Sequence, residues 1–193
     1  MLSSDDVLFA IAKAYDGRVL GRTRIQKIGY FIGVIAGSDL GYHAHYYGPY
    51  SPTVAATLEE RLACVHFRET PHQSAEVFSG HDGVRKYYEY ELTDEGKSAA
   101  EIHRNWHTEE FDKAVEIAAK IRSLQVDYMQ LSFAAKVHCI AVQRSRPFTL
   151  TVADIQASAR EFGWAMTKSD VTRGGEILEK LGLVTTRKRN QRT

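Results

Sequence analysis

A mainly α fold of the α+β type is predicted for this 193-residue chain. Three observations carry the prediction. Apolar residues recur at three- and four-residue spacing along most of the chain, the mark of helices with one buried face. Only two stretches, around 65–69 and 85–92, read as extended strands, with a polar, glycine-containing segment between them. Helix-capping residues stand where the helical periods begin and end. The composition, 44% hydrophobic and 25% charged, is globular and excludes collagen-like and disordered chains. No apolar run approaches the ~18–20 residues of a membrane span. The opening Met-Leu-Ser-Ser-Asp-Asp lacks the basic start and apolar stretch of a signal peptide. Cys64 and Cys139 lie far apart, so reduced thiols and a cytoplasmic location are expected.

Each element has a local reason. Ser3 or Ser4 caps a first helix, with Asp5 and Asp6 at its positive end and Val7, Leu8, Ile11, Ala12 and Tyr15 on its apolar face. Asp16-Gly17 ends it, and Arg18-Val19-Leu20-Gly21 reads as a short link. A second helix starts near Arg22 or Thr23, carries Ile25, Ile28, Ile32 and Ile35 in one stripe, and stops at Gly37. Tyr42 to Tyr50 reads as extended and closes in a Gly48-Pro49 turn. Ser51-Pro52 starts a third helix that runs to about Ala63. The two strands follow, with Ser79-Gly80-His81-Asp82-Gly83 as a hairpin tip between them. Thr93 then caps a long helical stretch to about Leu124. It breaks near His107-Thr108, where Thr108 can cap again ahead of Glu109 and Glu110. Another helix spans 125–144. Thr149 or Thr151 starts the next, Phe162-Gly163-Trp164 makes a turn, and a last helix runs from Thr167 to Leu181. Gly182 caps it, and Leu183 to Thr186 reads as a short strand.

Helix, helix, helix and a two-stranded hairpin is the order of a winged helix-turn-helix. Residues 1–96 fit it, with the added extended segment 42–50. Residues 97–146 form a helical linker, the expected place for homodimer contacts because its apolar stripes exceed what one small core needs. Residues 147–193 read as a second, shortened winged-helix-like unit that ends in a basic tail. The three parts carry net charges of −4, +2 and +3.

Gly21-Arg22-Thr23-Arg24-Ile25-Gln26-Lys27-Ile28-Gly29-Tyr30-Phe31, followed by His45-Tyr46-Tyr47-Gly48-Pro49-Tyr50-Ser51, resembles the YwgA-like prokaryotic winged-helix proteins. It is more distantly similar to the Panacea-type domains of some antitoxins. The shared features are a Gln-Lys-aliphatic-x-Tyr/Phe helix and a Tyr-Gly-Pro turn. Leu92-Thr93-Asp94-Glu95-Gly96 fits the Leu-Thr-x-x-Gly that closes a wing in such proteins, whereas Ile25 stands where Leu is commoner. The resemblance covers about half the chain. It implies a DNA-binding regulator or an adaptor that binds another protein, and no enzymatic activity.

Enzyme motifs are scarce. No Gly-rich run ends in Gly-Lys-Ser/Thr, no Gly-x-Ser-x-Gly elbow occurs, and no Cys-x-x-Cys pair offers a thiolate metal site. His103 and His107, four apart on a helix, could share a metal, but surface or half-buried histidines are the favoured reading, so no metal and no cofactor is expected. Trp106 between them reads as a core anchor. Asp94-Glu95 and Glu109-Glu110 are explained by helix dipoles. Cys64 and Cys139 read as small packed hydrophobes. Tyr42, Tyr46, Tyr47 and Tyr50 could stack on bases or pack the extra segment against the second helix, with packing favoured.

The strongest functional signal lies near the C-terminus. The leading end of the last helix offers Thr167, Lys168, Ser169, Thr172 and Arg173. In a helix-turn-helix that end enters the major groove. Arg187, Lys188, Arg189 and Arg192 follow and could track phosphates. Asp170, Glu176 and Glu179 weaken the case. Gly174-Gly175 marks close packing or a kink. Arg18, Arg22, Arg24 and Lys27 form a second basic cluster, for a DNA backbone, for a protein, or simply solvated. The third helix is a poorer reader, exposing Thr53, Thr57, Glu59, Glu60 and Arg61. The expected function is double-stranded DNA binding by a transcriptional-regulator-like protein. The alternative is an antitoxin or adaptor module binding a protein partner through its N-terminal unit.

Overall fold

Ser3 nucleates the first helix. The computed structural model describes residues 1–74, 85–143 and 150–185, and in it Ser3 Oγ accepts from Asp6 N while Asp6 returns a bond to Ser3 N. This reciprocal cap opens α1 (Ser4–Ala14), which ends where Asp16 and Gly17 take positive φ. Arg18–Leu20 is a strand, β1, rather than a link. It pairs antiparallel with a segment about 70 residues later, which no local pattern announces. The second helix, α2 (Arg22–Ala36), stops at left-handed Gly37. α3 (Pro52–Ala63) is capped by Ser51, whose hydroxyl accepts from Val54 N.

β2 (Phe67–Ser74) and β3 (Arg85–Leu92) pair antiparallel, and β3 lies between the other strands, so the sheet order is β1-β3-β2. The expected tip at 79–83 falls outside the described residues. Segment 42–50 adds no strand. It folds back on itself through one isolated bridge, His43 to Tyr50.

α4 (Asp94–Trp106) begins at Thr93, whose hydroxyl donates to Val65 O and accepts from Gly96 N. A Cβ at Gly96 would stand 2.0 Å from the His66 carbonyl oxygen, so Leu-Thr-x-x-Gly is a close-approach motif. α5 (Thr108–Ser123) follows after the expected break. Thr108 is not its cap: the Thr108 hydroxyl donates back to Arg104 O, and His107 holds the cap position. α6 (Tyr128–Gln143) starts three residues later than expected, where Asp127 and Gln130 exchange side-chain-to-backbone bonds. α7 (Val152–Glu161) and α8 (Lys168–Leu181) open with capping boxes, Thr151 with Asp154 and Thr167 with Asp170. Gly182 ends α8 in the left-handed region. Leu183–Thr185 form no strand with any described residue, and Thr186 lies outside the described residues.

The chain is thus mainly helical, with one small open antiparallel sheet. Its buried side chains form one cluster. Phe9, Ile11, Ile28, Phe31, Phe111 and Ile121 are fully buried in it, each contributing about 1.5–3 kcal/mol of apolar burial. α1 lies on α5, α2 on α6, and α6 on α8. Arg122 at the end of α5 donates to Ala14 O and to Asp16, which closes the C-terminus of α1. Gly174 makes the α6–α8 contact possible: a Cβ there would meet Ala134 N and Phe133 C at 3.2 Å. Gly175 faces open space. Close packing therefore explains Gly174, and α8 is unbroken through both glycines.

Two apolar expectations fail. Trp106 is 70% exposed rather than a core anchor, because it sits in the last turn of α4. Cys64 is exposed beyond the end of α3, whereas Cys139 is buried, and both thiols are free.

Candidate nucleic-acid interface

The cap and first two turns of α8 place Thr167, Lys168, Ser169, Thr172 and Arg173 at the surface. Thr167 is the cap, so its oxygen is engaged by Asp170 N. The Thr172 hydroxyl is turned back to Lys168 O. Asp170 is held as Thr167's partner, with its carboxylate bonded to Thr167 N and Oγ1. The exposed charges of α8 are therefore biased along it: Lys168 and Arg173 lie in its first half, and Glu176, Glu179 and Lys180 in its second. Arg187, Lys188, Arg189 and Arg192 lie outside the described residues.

The structure disperses the second basic cluster. Arg18 pairs with Glu91 across the sheet at 2.9 Å. Arg22 stays exposed and pairs with Glu59, with Glu69 at 2.9 Å and with the Tyr90 hydroxyl at 2.6 Å. Arg24 is half-buried near Tyr15. Lys27 is only 2% exposed, and its Nζ donates to Pro49 O at 2.6 Å. Its burial follows from the position: it lies on the face of α2 that receives the 45–51 turn. Burial, with repulsion from Lys136, pulls the Lys27 ammonium down to about 8.

Gln26 beside it grips the same turn. Its amide donates to Ser51 O at 3.0 Å and accepts from Ser51 N at 2.9 Å. The Gln-Lys pair and the Tyr-Gly-Pro-Tyr-Ser turn are thus one interlocked unit. α6 and the α7–α8 connection complete the clamp. Ser132 Oγ donates to Tyr47 O, and the buried Trp164 donates Nε1 to His45 O at 2.8 Å. The turn accordingly sits between α2 and the segment that leads into α8.

The aromatic run divides by position. Tyr42 packs inward, its hydroxyl buried without a partner. Tyr50 stacks obliquely on His45, ring centres 5.1 Å apart. Tyr46 and Tyr47 project outward, 68% and 67% exposed, their rings edge to face at 4.8 Å. Packing thus accounts for Tyr42 and Tyr50 only. Alternation of aromatic residues gave no means of separating the two pairs, because the turn breaks the strand period.

α3, the helix after α2, has a different surface. Pro52, Thr53, Ala56, Glu59 and Glu60 are exposed. Thr57, expected outside, is buried and shares a 2.7 Å hydrogen bond with Ser4. Arg61 is half-buried against Asp5.

His103 and His107 converge on one carboxylate. Asp6 is fully inaccessible, with His103 Nδ1 at 2.9 Å and His107 Nδ1 at 3.1 Å from its two oxygens. Burial opposes the charged form, but hydrogen bonds from Ser3 and then from the two histidines outweigh it and hold the Asp6 carboxyl below its usual value. Helical spacing flagged the histidines; their partner 97 residues earlier had no signal. Among the described residues no group of three His, Cys, Asp or Glu is arranged to hold a metal ion.

A half-open cavity of about 350 Å³ lies between α2, the 38–44 segment and α6. At its wall the Tyr30 hydroxyl meets His138 Nδ1 at 2.8 Å, and burial pushes the His138 imidazole down. No helix among the described residues is long and apolar enough to cross a membrane. No family model matches the chain, and no curated protein matches it.

Proposed function

We propose that the chain is a double-stranded DNA-binding protein of the regulator type that reads DNA with the leading end of α8. The observation that carries the reading is the bias of exposed charge along α8. Its first half exposes Lys168, Arg173 and Ser169, and its second half exposes Glu176, Glu179 and Lys180. A recognition helix enters the major groove by its N-terminal residues, where arginine can pair with guanine and lysine with phosphate. The α7–turn–α8 pair is read as the helix-turn-helix. The N-terminal unit is read as a winged helix, on the support of the order α1-β1-α2-α3-β2-β3 and the strand order β1-β3-β2. Its α3 is not the reader in this proposal, because that helix exposes Glu59 and Glu60 and no unpaired cation among the described residues.

The test is fluorescence anisotropy with a blunt duplex between about 50 and 200 mM salt. Wild type should bind, weaken with salt, and lose affinity in Lys168→Ala/Arg173→Ala, with the log–log salt slope falling by about 2. Absence of binding at the lowest salt, or an unchanged slope in the double variant, overturns the proposal.

The second reading is a protein partner docked on the N-terminal unit. Arg22, ion-paired with Glu59 and Glu69 and bonded to Tyr90, favours it, since phosphate would have to displace these carboxylates. Retention of a partner by the 1–143 portion of the full chain, insensitive to salt, would support this reading.

A further inference from the structure

We propose that the cavity between the end of α1, the start of α2 and the α5–α6 connection binds a free aliphatic α-amino acid, its carboxylate on Arg24 and its ammonium on Asp127. Binding there is read on the protein alone and does not depend on DNA contact by α8.

The cavity measures about 320 Å³, near the small end of the roughly 300–1,000 Å³ that ligand sites occupy. Tyr15, at the C-terminal cap of α1, and Arg24 of α2 line it together with the end of α5 and residues 125–127. Arg24 is half-buried, and its Nε is buried without a hydrogen-bond acceptor. No carboxylate pairs with its guanidinium among the described residues. The Tyr15 hydroxyl lies beside it, but burial pushes that phenol up, so it stays neutral and leaves the charge uncompensated. A buried donor on a charged group is destabilising while it lacks an acceptor, so this one calls for an acceptor from outside the chain. Arg122, also on the wall, adds no free charge, because its guanidinium is spent on Ala14 O and on Asp16 at 2.6 Å.

Asp127 supplies the opposite sign. It is exposed, and its Oδ1 accepts from Gln130 N at 2.8 Å, which leaves Oδ2 without a partner among the described residues. Arg24 and Asp127 therefore line one small cavity but stand too far apart to pair with each other. A ligand with one charge of each sign satisfies both. A phosphate dianion is held by Arg24 but repelled by Asp127, and a simple amine meets the reverse. Ile121 and Val126 are the apolar part of the lining and suit an aliphatic side chain. Gln125 stands at φ +52°, in the left-handed region where glycine is the ordinary helix-ending choice. Helix termination alone leaves a long amide there unexplained, whereas on the cavity wall it can donate to the bound carboxylate.

Isothermal titration calorimetry and thermal melts of the full chain test the site, with L-valine and L-leucine as probes beside N-acetyl-L-valine, L-valine methyl ester and inorganic phosphate. The free amino acids should bind and raise the melting temperature. Removing either ligand charge, in the acetyl or the ester form, should weaken binding about tenfold or more. Arg24→Met and Asp127→Asn should each do the same. The first removes the orphaned donor and the second keeps a capping side chain, so both free variants should show native helix content by circular dichroism. Gln125→Gly should raise the melting temperature of the free protein while weakening binding. No binding of either free amino acid overturns the proposal. Equal binding of the acetyl form or of phosphate shows an anion site on Arg24 alone and also overturns it, as does equal binding of the ester or undiminished binding in Arg24→Met. The ligand series is decided on wild type, whatever the folding of the variants.

Discussion

Replacing Lys27 with methionine keeps most of the aliphatic stem's packing and removes one buried charge. The cost of that charge follows from its proton affinity. Burial, aided by Lys136, lowers the ammonium from 10.5 to about 8. That gap corresponds to about 3 kcal/mol, unfavourable to the folded state at neutral pH. The sign is fixed by proton counting. Below pH 8 both states keep the proton and folding bears the whole cost. Between 8 and 10.5 the folded chain releases its proton first, so the unfolded state binds more protons and stability rises with pH. Above 10.5 neither state is charged and the cost is gone. Urea unfolding of wild type and Lys27→Met should therefore give a stability difference that shifts by about 2.5 kcal/mol towards wild type between about pH 7 and pH 10. The Cys139 thiol, which burial pushes up, is coupled to the Lys27 charge that opposes that rise, so both proteins are compared in a Cys139→Ala background. The absolute difference at pH 7 also contains the lost bond to Pro49 O, whereas the shift with pH does not. A difference that stays flat across this range would refute the account of Lys27 as a desolvated ammonium.

Gly174→Ala and Gly175→Ala should act in opposite directions. The first forces α8 off the α6 backbone and should cost about 1–3 kcal/mol, while the second enters open space and should stabilise by up to about 1 kcal/mol; paired thermal melts test both. Gln26→Leu leaves Ser51 N without its buried acceptor, while Ser51 O keeps Ala55 N as donor, and should cost about 1–3 kcal/mol in urea unfolding. Asp6→Asn should flatten the acid limb of the stability profile. With the folded Asp6 held below its usual 3.8, its contribution is full above about that value and is lost as pH falls through the lower folded value, so acid titration should show a steeper decline in wild type than in the variant.

Much of the helical frame was legible because its signals are local. Ser3, Thr93, Thr151 and Thr167 cap where a hydroxyl precedes an amphipathic run, and Gly37 and Gly182 end helices in the left-handed region that glycine tolerates. β1 was not legible, since three residues are too few for a pattern and their partner lies in β3. The surroundings of the second basic cluster were not legible for a related reason. Charge alone places lysine and arginine outside; Arg18 and Arg22 are indeed exposed but paired with acids, whereas Lys27 is buried against a carbonyl. Trp106 and Cys64 were assigned by residue type, and both stand at helix ends, where the buried stripe has run out. The division within the tyrosine run needed the turn's closure and the partners that grip it.

The bond from Trp164 to the His45 carbonyl spans 119 residues, and the Tyr30–His138 bond spans 108. During synthesis at about 5–20 residues per second, His45 waits roughly 6–24 seconds for Trp164 to be made. β1 likewise stays unpaired until β3 is made. The turn bearing Tyr46 and Tyr47 thus acquires its last backbone support only late in translation. Nascent chains shorter than this point carry those rings on an unfinished loop, and completion of the C-terminal helices is what converts the loop into a fixed surface.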